Sequence, residues 1–429
     1  MNRREFVLMA SASAPAAFAG GATERARGAN DRIRVAVIGV NGRGKNHIDG
    51  FEPLENVEVA ALVDVDLAVA NERAAAFEKR YGRRPAVVQD MRRVFDDKDI
   101  DVVSIATPNH WHALATIWAC QAGKDVYVEK PATHSLAEGR SMMAAAKKYN
   151  RIVQHGVQLR SSEAIREAVD KLRQGVIGDV YMARATIFKW RPKLVNHPVE
   201  NPPSTLDYNL WVGPAKFRPY SKNHVHYNWH WTWDYGNGEI GNQGVHELDM
   251  LQWGLGVKHP TRICAMGGKY LWNDHRETPE LMTALCEFGR EKKFAEIAVR
   301  FWCSNNETDE ANGNLFYGSE GYMVISGYTK YQVFLGREGK PGPKGSAPTR
   351  HFENFIQAVR SRKPEELNGP LETAHYSCAL AHLANAAFRV GGVLDFDPDK
   401  EQFLNNPKAN ALLVDTYRKG FEVPPPHKV

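Results

Sequence analysis

The segment Ile33–Gly44, which reads IRVAVIGVNGRG, constrains the fold more than any other part of the chain. Val35, Val37 and Ile38 supply the β-branched composition that is typical of a buried parallel strand. The residues that follow, Gly39–Gly44, predict a tight turn that leads into a helix. A strand, a glycine turn and a helix in this order direct backbone N–H groups toward one point, where a pyrophosphate can bind.

A carboxylate at a characteristic distance supports this interpretation. Asp64 lies 20 residues beyond Gly44, at the end of a second strand-like run. Dinucleotide-binding folds place an acidic residue at this distance, where it accepts hydrogen bonds from the adenosine ribose. Asn41 stands where the usual G-x-G-x-x-G pattern has its second glycine. The alternative is an ordinary strand-to-helix turn without a ligand.

Strands and helices alternate through the first part of the chain. Strand-like runs cover Val57–Asp64, Asp101–Ala106, Asp125–Val128 and Ile152–Gln154, and helical patterns cover Leu67–Tyr81, Ala113–Ala122 and Leu136–Tyr149. This order predicts an α/β fold with a doubly wound parallel sheet, the Rossmann arrangement, over residues 32–154. Because ligands bind off the carboxyl ends of such strands, the loops that start at Gly39, Thr107 and Glu129 are expected to meet along one edge.

The pattern changes in residues 155–395, for which we predict a substrate-binding domain. Alternating runs at Val180–Lys189, Arg262–Leu271, Thr283–Phe288, Phe294–Cys303 and Gly321–Ser326 predict an antiparallel sheet with one covered face. Helices are predicted at Ser162–Gln174, His351–Ser361 and Thr373–Val390, and residues 396–429 form a C-terminal extension. The aromatic and histidine-rich segment Tyr220–Gly241 is interpreted as too polar for a core and as a functional loop.

The first residues have the composition of an export signal. Met1–Ala22 contains the pair Arg3-Arg4, an Ala-rich apolar stretch and a small-x-small sequence at its end. The arginine pair resembles a twin-arginine (Tat) signal, which carries proteins that are already folded. A Sec signal with a chance arginine pair is the alternative. We therefore expect a periplasmic or extracellular protein without a stable membrane span, since the stretch is short and weakly apolar.

Charge and cysteine content argue against other classes of function. The net charge of +5 is small for 429 residues, and the basic residues are spread along the chain, so we expect no nucleic-acid partner. The 5 cysteines make an odd count without a C-x-x-C pair. At least one thiol is therefore unpaired within the chain, no metal site is expected, and buried free cysteines are the simpler interpretation.

Two predicted loops at strand ends carry candidate functional residues. Lys130 lies in a Glu-Lys-Pro sequence and, if burial depresses its pKa, can orient a substrate hydroxyl and share its proton. A surface lysine is the alternative interpretation. In the other loop, Asn109 can hydrogen-bond a carboxamide or a ribose, and His112 opens a helix. A loop that merely caps this helix would have the same composition.

His246 is the candidate general base. It lies in a helical pattern, Gly241–Leu255, with Asn242 four residues before it and Asp249 three residues after it. Residues at this spacing share one helix face, where a neighbour can set the tautomer of the imidazole. The alternative is a structural histidine with Asn242 as the helix N-cap.

The aromatic segment has several interpretations. Its rings can stack on sugar C–H surfaces while its histidines donate to hydroxyls, or the same residues can form a dimer contact or trap a metal. Metal ligation is disfavoured because tryptophans interleave the histidines and no carboxylate pair accompanies them. The cluster consists of His224, His226, Tyr227, Trp229, His230, Trp231 and Trp233.

Four motifs in order resemble the Gfo/Idh/MocA oxidoreductases, the glucose–fructose oxidoreductase and inositol dehydrogenase family. They are the glycine turn Gly39–Gly44, the sequence TPNHWH at Thr107–His112, the loop Glu129–Pro131, and His246–Asp249. The resemblance covers residues from about 32 to about 395, and the sequences GVNGRG, TPNHWH and NQGVHELD look like those of exported twin-arginine members. It implies a Rossmann domain, then an α/β domain with a large open, mostly antiparallel sheet. It also implies NAD or NADP as cofactor and a sugar, polyol or related substrate.

The resemblance also assigns roles to residues. Lys130 and His246 match the catalytic lysine and histidine, and Asn242 stands where many relatives have an aspartate. An asparagine cannot raise the basicity of the histidine by charge. Asp64 is followed by Val65 rather than by an arginine, which favours NAD over NADP. The cofactor-binding candidates are Gly39, Asn41, Gly42, Arg43, Gly44, Asp64, Thr107, Pro108, Asn109, His112, Glu129 and Lys130, and the substrate-binding candidates are Arg160, Tyr227, His230, Trp231 and Asp249.

Three functions follow from these assignments. The first is an exported NAD-dependent oxidoreductase of a sugar, polyol or glycoside that retains its cofactor, because no free NAD pool exists outside the cytoplasm. The second is a glycosidase that uses NAD transiently, through oxidation, elimination, hydration and reduction. The third is a cofactor-binding sugar sensor without catalysis. The open sheet face further predicts a homodimer or a homotetramer.

Overall fold

The structure is a computed structural model that describes residues 32–301 and 312–429. The first part of the chain forms a parallel sheet. Its strands are β1 (Ile33–Ile38), β2 (Val57–Val63), β3 (Ala86–Val88), β4 (Val102–Ile105), β5 (Asp125–Val128) and β6 (Val153–His155). Their spatial order is β3-β2-β1-β4-β5-β6, and every pairing is parallel. The predicted doubly wound sheet is confirmed, and its order reverses between β1 and β4, where ligands bind in such folds.

Helices connect these strands, and local signals set their ends. They are α1 (Gly44–Phe51), α2 (Leu67–Tyr81), α3 (Arg92–Asp96), α4 (Asn109–Gln121) and α5 (Leu136–Lys148). Helix α2 begins where the Asp66 carboxylate accepts the Ala68 N–H, and it ends at Gly82 with a left-handed φ of 73°. Helix α4 begins four residues earlier than predicted, directly after Pro108, whose restricted φ favours a helix start.

Ten strands of the described residues form a second sheet, which we call the large sheet. They are β7 (Val180–Phe188), β8 (Arg262–Gly268), β9 (Leu281–Phe288), β10 (Lys293–Arg300), β11 (Asn312–Gly318), β12 (Gly321–Ser326), β13 (Lys330–Leu335), β14 (Lys340–Ser346), β15 (Val393–Asp397) and β16 (Gln402–Phe403). The order is β14-β13-β12-β11-β7-β10-β9-β8-β15-β16. All pairings are antiparallel except β7 with β10, so the predicted large, mostly antiparallel sheet is confirmed.

The large sheet has one covered and one open face. The remaining helices are α6 (Glu163–Arg173), α7 (Tyr208–Val212), α8 (Gly238–Asn242), α9 (Val245–Leu255), α10 (His351–Ser361), α11 (Leu371–Val390) and α12 (Pro407–Ala411). Helix α9 packs against β7 and β11, and α11 packs against α9 and β8. Side chains along β9 alternate between buried and exposed, because one face meets these helices and the other meets solvent.

The segment Tyr220–Gly241 forms part of a core, so the prediction that it is too polar for one is wrong. Trp229 and Tyr235 are buried with Trp211 of α7 in a separate aromatic cluster. Polar atoms are accommodated by hydrogen bonds within the cluster, such as the 3.1 Å contact between the His224 Nε2 and the Tyr208 hydroxyl. The segment is therefore packed into the protein interior over part of its length.

The predicted export signal, Met1–Ala22, lies outside the described residues. Within residues 32–301 and 312–429, no helix has both the length and the apolar character that crossing a bilayer requires. The domain boundaries near residues 155 and 396 stay predictions.

Candidate active site

A cleft of about 450 Å³ opens at the carboxyl edge of the parallel sheet. Loops that follow β1, β2, β4 and β5 form one wall, and the aromatic segment and the end of α8 form the other. The predicted convergence of three strand-end loops is thus what the structure shows. The cleft is lined, among others, by Gly39, Asn41, Gly42, Arg43, Asp64, Thr107, Pro108, Asn109, His112, Glu129, Lys130, His226, Tyr227, Trp229, His230 and Asn242.

The glycine turn has two positions that only glycine can occupy. Gly39 has a φ of 84°, and a Cβ there would lie 2.7 Å from the Ala106 carbonyl oxygen. A Cβ on Gly44 would lie 2.1 Å from the Gly39 carbonyl oxygen. A Cβ on Gly42 would meet nothing within 4 Å. Gly39 and Gly44 therefore allow close contacts between backbone segments, whereas Gly42 leaves open space at the floor of the cleft.

Two polar groups in the cleft suit a dinucleotide. The Asp64 carboxylate, at the end of β2, accepts the Val40 N–H at 3.0 Å and the Asp66 N–H at 3.1 Å. Burial raises the pKa of Asp64, and these N–H donors offset part of that rise. The Thr107 Oγ1 is buried without a hydrogen-bond partner among the described residues. A carboxylate for ribose hydroxyls and an unpaired hydroxyl in the same cleft fit a nicotinamide dinucleotide, NAD or NADP.

Glu129 joins the glycine turn to the loop of the candidate catalytic lysine. Its Oε1 accepts from the Arg43 Nε at 2.9 Å and from the His47 Nε2 at 3.1 Å, and its Oε2 accepts the Lys130 N–H at 3.1 Å. Burial by itself raises the pKa of Glu129, but Arg43 and His47 outweigh it and hold the pKa well below its usual range. Glu129 is thus an ionised anchor whose oxygens are occupied by protein donors.

Lys130 bridges the two walls of the cleft. Its ammonium group donates to the main-chain carbonyl of Asn242, at the end of α8. Burial lowers the pKa of Lys130, and the Glu129 carboxylate opposes part of that shift. An ammonium group with a lowered pKa at this position can hold a hydroxyl oxygen and exchange a proton with it.

The predicted continuous helix over Gly241–Leu255 is wrong, because two helices meet there. Helix α8 ends at Asn242 and α9 begins at Val245. Gly244 lies between them, and a Cβ there would be 2.4 Å from the Ile240 carbonyl oxygen and 2.7 Å from the Ile187 Cδ1. The break places Asn242 on the cleft wall, while His246 and Asp249 lie outside the lining of the cleft.

His246 is buried beside the cleft with an unused ring nitrogen. Its Nδ1 has no hydrogen-bond partner among the described residues, and its ring lies 4.8 Å from that of Tyr328. Burial and the charge of Lys130 hold the pKa of His246 well below its usual value. The imidazole is therefore neutral and keeps a lone pair for a proton.

His112 and Asn109 organise the loops more than they face a ligand. The ring nitrogens of His112 lie 2.6 Å from the Pro131 carbonyl oxygen and 2.8 Å from that of Thr107. Burial lowers the pKa of His112, so the ring is neutral and donates to one of the two carbonyls. The Asn109 Nδ2 donates to the Asn237 Oδ1 at 3.1 Å. Both residues fix the α4 start against its neighbours.

The five substrate-binding candidates divide into two groups. Tyr227 and His230 line the cleft. Arg160 and Asp249 form a buried ion pair of 2.6 Å, and Trp231 packs with Leu194 and Phe301 in a separate apolar cluster. The structure thus brings two of the five to the cleft and places Arg160, Trp231 and Asp249 outside its lining.

Residues that sequence reasoning missed also belong to the site. Gln89 and Trp211 line the cleft, and His47 supports it by bonding to Glu129. Gln89 directly follows β3, so the strand-end rule that located the other loops could have found it. Trp211 comes from α7, which no local pattern connects with the parallel sheet.

A parallel sheet with a glycine turn, a ribose-site carboxylate and a lysine at its carboxyl edge is the arrangement of a dinucleotide-binding oxidoreductase. Residues 33–157 match the oxidoreductase family with an NAD-binding Rossmann fold. Residues 161–265 and 343–423 match the C-terminal alpha/beta domain of the same family. The chain therefore belongs to the Gfo/Idh/MocA family of NAD(P)-dependent oxidoreductases.

Curated relatives are similar over part of their length. An alpha-N-acetylgalactosaminidase from Shewanella oneidensis is 30% identical over 174 residues, which cover 38% of each chain. A glycosyl hydrolase family 109 protein from Shewanella sp. is 30% identical over 176 residues, or 39% of this chain and 38% of the relative. The match thus spans little more than a third of these relatives.

Solved structures share the fold over most of the chain. The WlbA dehydrogenase from Bordetella pertussis, in complex with NADH and UDP-GlcNAcA, has a TM-score of 0.64 and 18% identity, over 85% of this chain and 99% of its own. The aldose-aldose oxidoreductase from Caulobacter crescentus has a TM-score of 0.65 and 19% identity, over 85% and 100%. KijD10, a 3-ketoreductase from Actinomadura kijaniata in complex with NADP, has a TM-score of 0.63 and 19% identity, over 83% and 98%.

Proposed function

We propose that this chain is an exported, NAD-dependent enzyme that oxidises a hydroxyl group of a sugar, polyol or glycoside in the cleft. The observation that carries this proposal is Lys130, whose ammonium group spans from the β5 end to the Asn242 carbonyl. It stands between a glycine turn suited to a pyrophosphate and a wall of Tyr227 and His230, which suits a sugar.

The roles of the residues follow from their positions. When bound, NAD supplies the two-electron oxidant for the C–H bond of the substrate. Gly39–Gly44, Asp64 and Thr107 hold the cofactor at the carboxyl edge. Lys130 binds the hydroxyl oxygen and stabilises the negative charge that develops on it. His246 matches the catalytic histidine of the family and its imidazole is neutral, and it is the proposed acceptor of the hydroxyl proton.

The direct test is a substrate screen with the purified chain. We expect a class of mono- or disaccharides to generate NADH, and we expect denatured protein purified without added NAD to release a nicotinamide dinucleotide on mass spectrometry. Active protein that carries no dinucleotide would overturn cofactor retention. The complete absence of oxidation and of glycoside cleavage across the screen, together with intact sugar binding, would instead indicate the sensor.

A second candidate is glycoside cleavage through a transient oxidation. The similarity to an alpha-N-acetylgalactosaminidase from Shewanella oneidensis favours it. In this reaction, oxidation of a sugar hydroxyl to a ketone acidifies a neighbouring C–H bond, and elimination then expels the aglycone. Water adds to the resulting double bond, and the ketone would be reduced again by the NADH formed in the first step. Release of nitrophenol from nitrophenyl α-N-acetylgalactosaminide without net formation of NADH would support this candidate, and formation of one NADH per substrate cleaved would exclude it.

We further propose NAD as the preferred cofactor. An adenosine 2′-phosphate would lie against the Asp64 carboxylate, and like charges repel. We expect Asp64→Ser to bring the ratio of the NAD and NADP dissociation constants closer to one by roughly tenfold, or about 1.4 kcal/mol. This lies between the values for two charges about 4 Å apart, which are about 1 kcal/mol in bulk water and about 4 kcal/mol near a protein surface. Titration of both cofactors by protein fluorescence measures this ratio, and an unchanged ratio would contradict the role of Asp64.

The assembly proposed for the protein is a dimer through the open face of the large sheet. Strand register places Met266, Leu285, Phe294 and Val393 on that face. Met266 is 82% exposed and Val393 is 65% exposed, although both are apolar. A second copy of the face is a suitable partner, since homo-oligomers use self-complementary patches.

The Tat-type signal in Met1–Ala22 is the basis for the proposed export.

A further inference from the structure

Three side chains far apart in the sequence converge at the C-terminal edge of the large sheet. His259 precedes β8, His375 lies on α11, and Glu401 lies between β15 and β16. The His259 Nε2 is 2.9 Å from the Glu401 Oε1, and the His375 Nε2 is 2.7 Å from the same oxygen. One donor atom from each residue lies within 4.8 Å of the other two. We call this group the Glu401 cluster.

The geometry points to a binding site for a divalent transition-metal ion, with Zn²⁺ as the best fit, formed by His259 Nε2, His375 Nε2 and Glu401 Oε1. Two imidazoles and a carboxylate are a common zinc ligand set, which leaves a fourth position for water. Tetrahedral bonds of about 2.1 Å separate ligand atoms by roughly 3.4 Å. Each imidazole nitrogen therefore needs to move away from the Glu401 Oε1 by only about 0.5–0.7 Å, and the two imidazole nitrogens already lie within 4.8 Å of each other.

Burial and access suit an ion at this position. The side chains of His259 and His375 are 2% and 1% exposed, whereas that of Glu401 is 13% exposed. The rings are thus packed inside the protein, and the ion can enter from the carboxylate side. The His259 Nδ1 has no partner among the described residues, so moving the ring proton from Nε2 to Nδ1 breaks no existing hydrogen bond there.

The backbone at Glu401 supports a role for its side chain. Glu401 has a φ of 53°, in the left-handed region that favours glycine. A turn between β15 and β16 would form more easily with glycine or asparagine at this position. A glutamate in this conformation is understandable if its carboxylate is needed at the cluster.

Arg140 is the one cation that contacts the same carboxylate among the described residues, and it competes with a metal ion. Its Nε donates to the Glu401 Oε2 at 3.1 Å, and its Nη2 also contacts Oε1. The Arg140 side chain is 44% exposed, so it can keep Oε2 while Oε1 turns to the ion. Two further charged residues near the cluster, Lys258 and Glu372, pair with each other at 3.2 Å, and Lys400, next to Glu401, pairs with Asp397 at 3.7 Å.

The sequence predicts no metal site, because the cysteines lack a ligand spacing and tryptophans interleave the histidines of the aromatic segment. Residues 259, 375 and 401 come from three separate elements, and only the pairing of β15 with β8 and the packing of α11 on β8 bring them together. A bound ion would cross-link these elements and stabilise the C-terminal hairpin.

The test uses the full chain without an affinity tag, treated with a chelator and dialysed. We expect one equivalent of Zn²⁺ by calorimetry and by elemental analysis, a higher thermal midpoint with Zn²⁺, and a visible absorption band with Co²⁺. Glu401→Gln and His375→Gln should weaken Zn²⁺ binding at least tenfold. Glu372→Gln, an exposed carboxylate on α11, is the matched control and should keep full binding.

A variant of the competing cation separates ligation from mere folding. Arg140→Gln should bind Zn²⁺ more tightly, because the Arg140 guanidinium then no longer competes with the ion for the Glu401 carboxylate. Equal weakening in Arg140→Gln and Glu401→Gln would overturn the ligand assignment. It would show that loss of the Arg140–Glu401 ion pair is by itself enough to weaken binding. Stoichiometry in Glu401→Gln equal to that of the parent, with its fold verified by circular dichroism, would overturn the site as well.

Discussion

The carboxyl edge of the parallel sheet and the open face of the large sheet both border solvent, but they leave different groups without partners. At the edge, the unused groups are polar, and within the described chain they include the Thr107 Oγ1 and the His246 Nδ1. On the open face, charged residues pair, as Arg184 does with Glu296 at 2.8 Å, whereas apolar Met266 and Val393 stay exposed. The edge therefore suits a small polar ligand and the face suits another protein surface.

The strongest test of this contrast is Lys130→Met. We expect kcat to fall by about 10²–10⁴-fold, because the substrate oxygen loses its cationic partner. Binding of NAD should be largely retained, because the glycine turn Gly39–Gly44, Asp64 and Thr107 stay in place to hold the cofactor. Steady-state kinetics with the substrate found in the screen, alongside NAD titration, provide the measurement.

Lys124→Met is the matched control for this variant. Lys124 is also buried, but its ammonium group donates to the carbonyls of Asp97 and Ile100, away from the cleft. Its loss should lower the thermal midpoint and leave kcat per folded molecule unchanged. Equal losses of kcat in both variants would show that Lys130 acts only on stability.

Substitutions at two glycines of the turn Gly39–Gly44 should give the next largest effects. One should lower stability and the other should lower the affinity for the cofactor. Gly44→Ala places a methyl group against the Gly39 carbonyl, so we expect a loss of about 1–3 kcal/mol in the free energy of unfolding. Gly42→Ala meets no atom within 4 Å, so stability should change by less than about 0.5 kcal/mol.

Cofactor affinity should nonetheless fall in Gly42→Ala, because the methyl group occupies the space at the floor of the cleft. We expect the NAD dissociation constant to rise by roughly tenfold, in keeping with the close backbone approach that such glycines permit. Denaturant unfolding and NAD titration of both variants separate the two effects. Unchanged NAD affinity in Gly42→Ala would place the pyrophosphate elsewhere.

The regular parts of the fold could be predicted because short-range rules decide them. The bounds of α2 follow from an Asp N-cap and a glycine C-cap, and those of α10 also match the prediction. Strand β11 was not predicted, since Asn312–Gly318 has glycine at two of its positions. Its pairing with β7 comes from a distant part of the chain and overrides that weak local propensity.

The candidate site could be predicted where it depends on strand ends and not where it depends on packing. Gly39, Asp64, Thr107 and Lys130 reach the cleft because parallel strands end at one edge. Arg160 and Asp249 were assigned to substrate but pair with each other in the interior. Helical spacing could not reveal this, because the break at Gly244 turns Asn242 and Asp249 toward different surroundings.

The open face should respond to charge without affecting the edge. We expect Met266→Lys combined with Leu285→Lys to dissociate the proposed dimer, because two buried ammonium groups would repel across the interface. Val199→Lys, an exposed apolar position outside the large sheet, is the control. Sedimentation analysis gives the mass, and a monomeric parent chain would contradict the dimer.

The smallest expected effect separates the two regions by their response to acid. The ten strands of the large sheet contain no histidine, whereas His155 ends β6 at the carboxyl edge. Burial lowers the pKa of His155 to about 3, and both of its ring nitrogens lack partners among the described residues. Below pH 6.5 the unfolded chain binds a proton at this residue that the folded chain does not, so stability falls as pH decreases toward 3.

His155→Leu removes this proton difference. Between pH 6 and pH 4 the free energy of unfolding should become less steep by about 1.4 kcal/mol per pH unit at most. Urea unfolding across this range measures the slope, and His427→Leu, at an exposed position, is the control for the loss of one imidazole. A slope that stays equal to that of the parent would mean that His155 is protonated in the folded protein, and the carboxyl edge would then be as tolerant of acid as the large sheet.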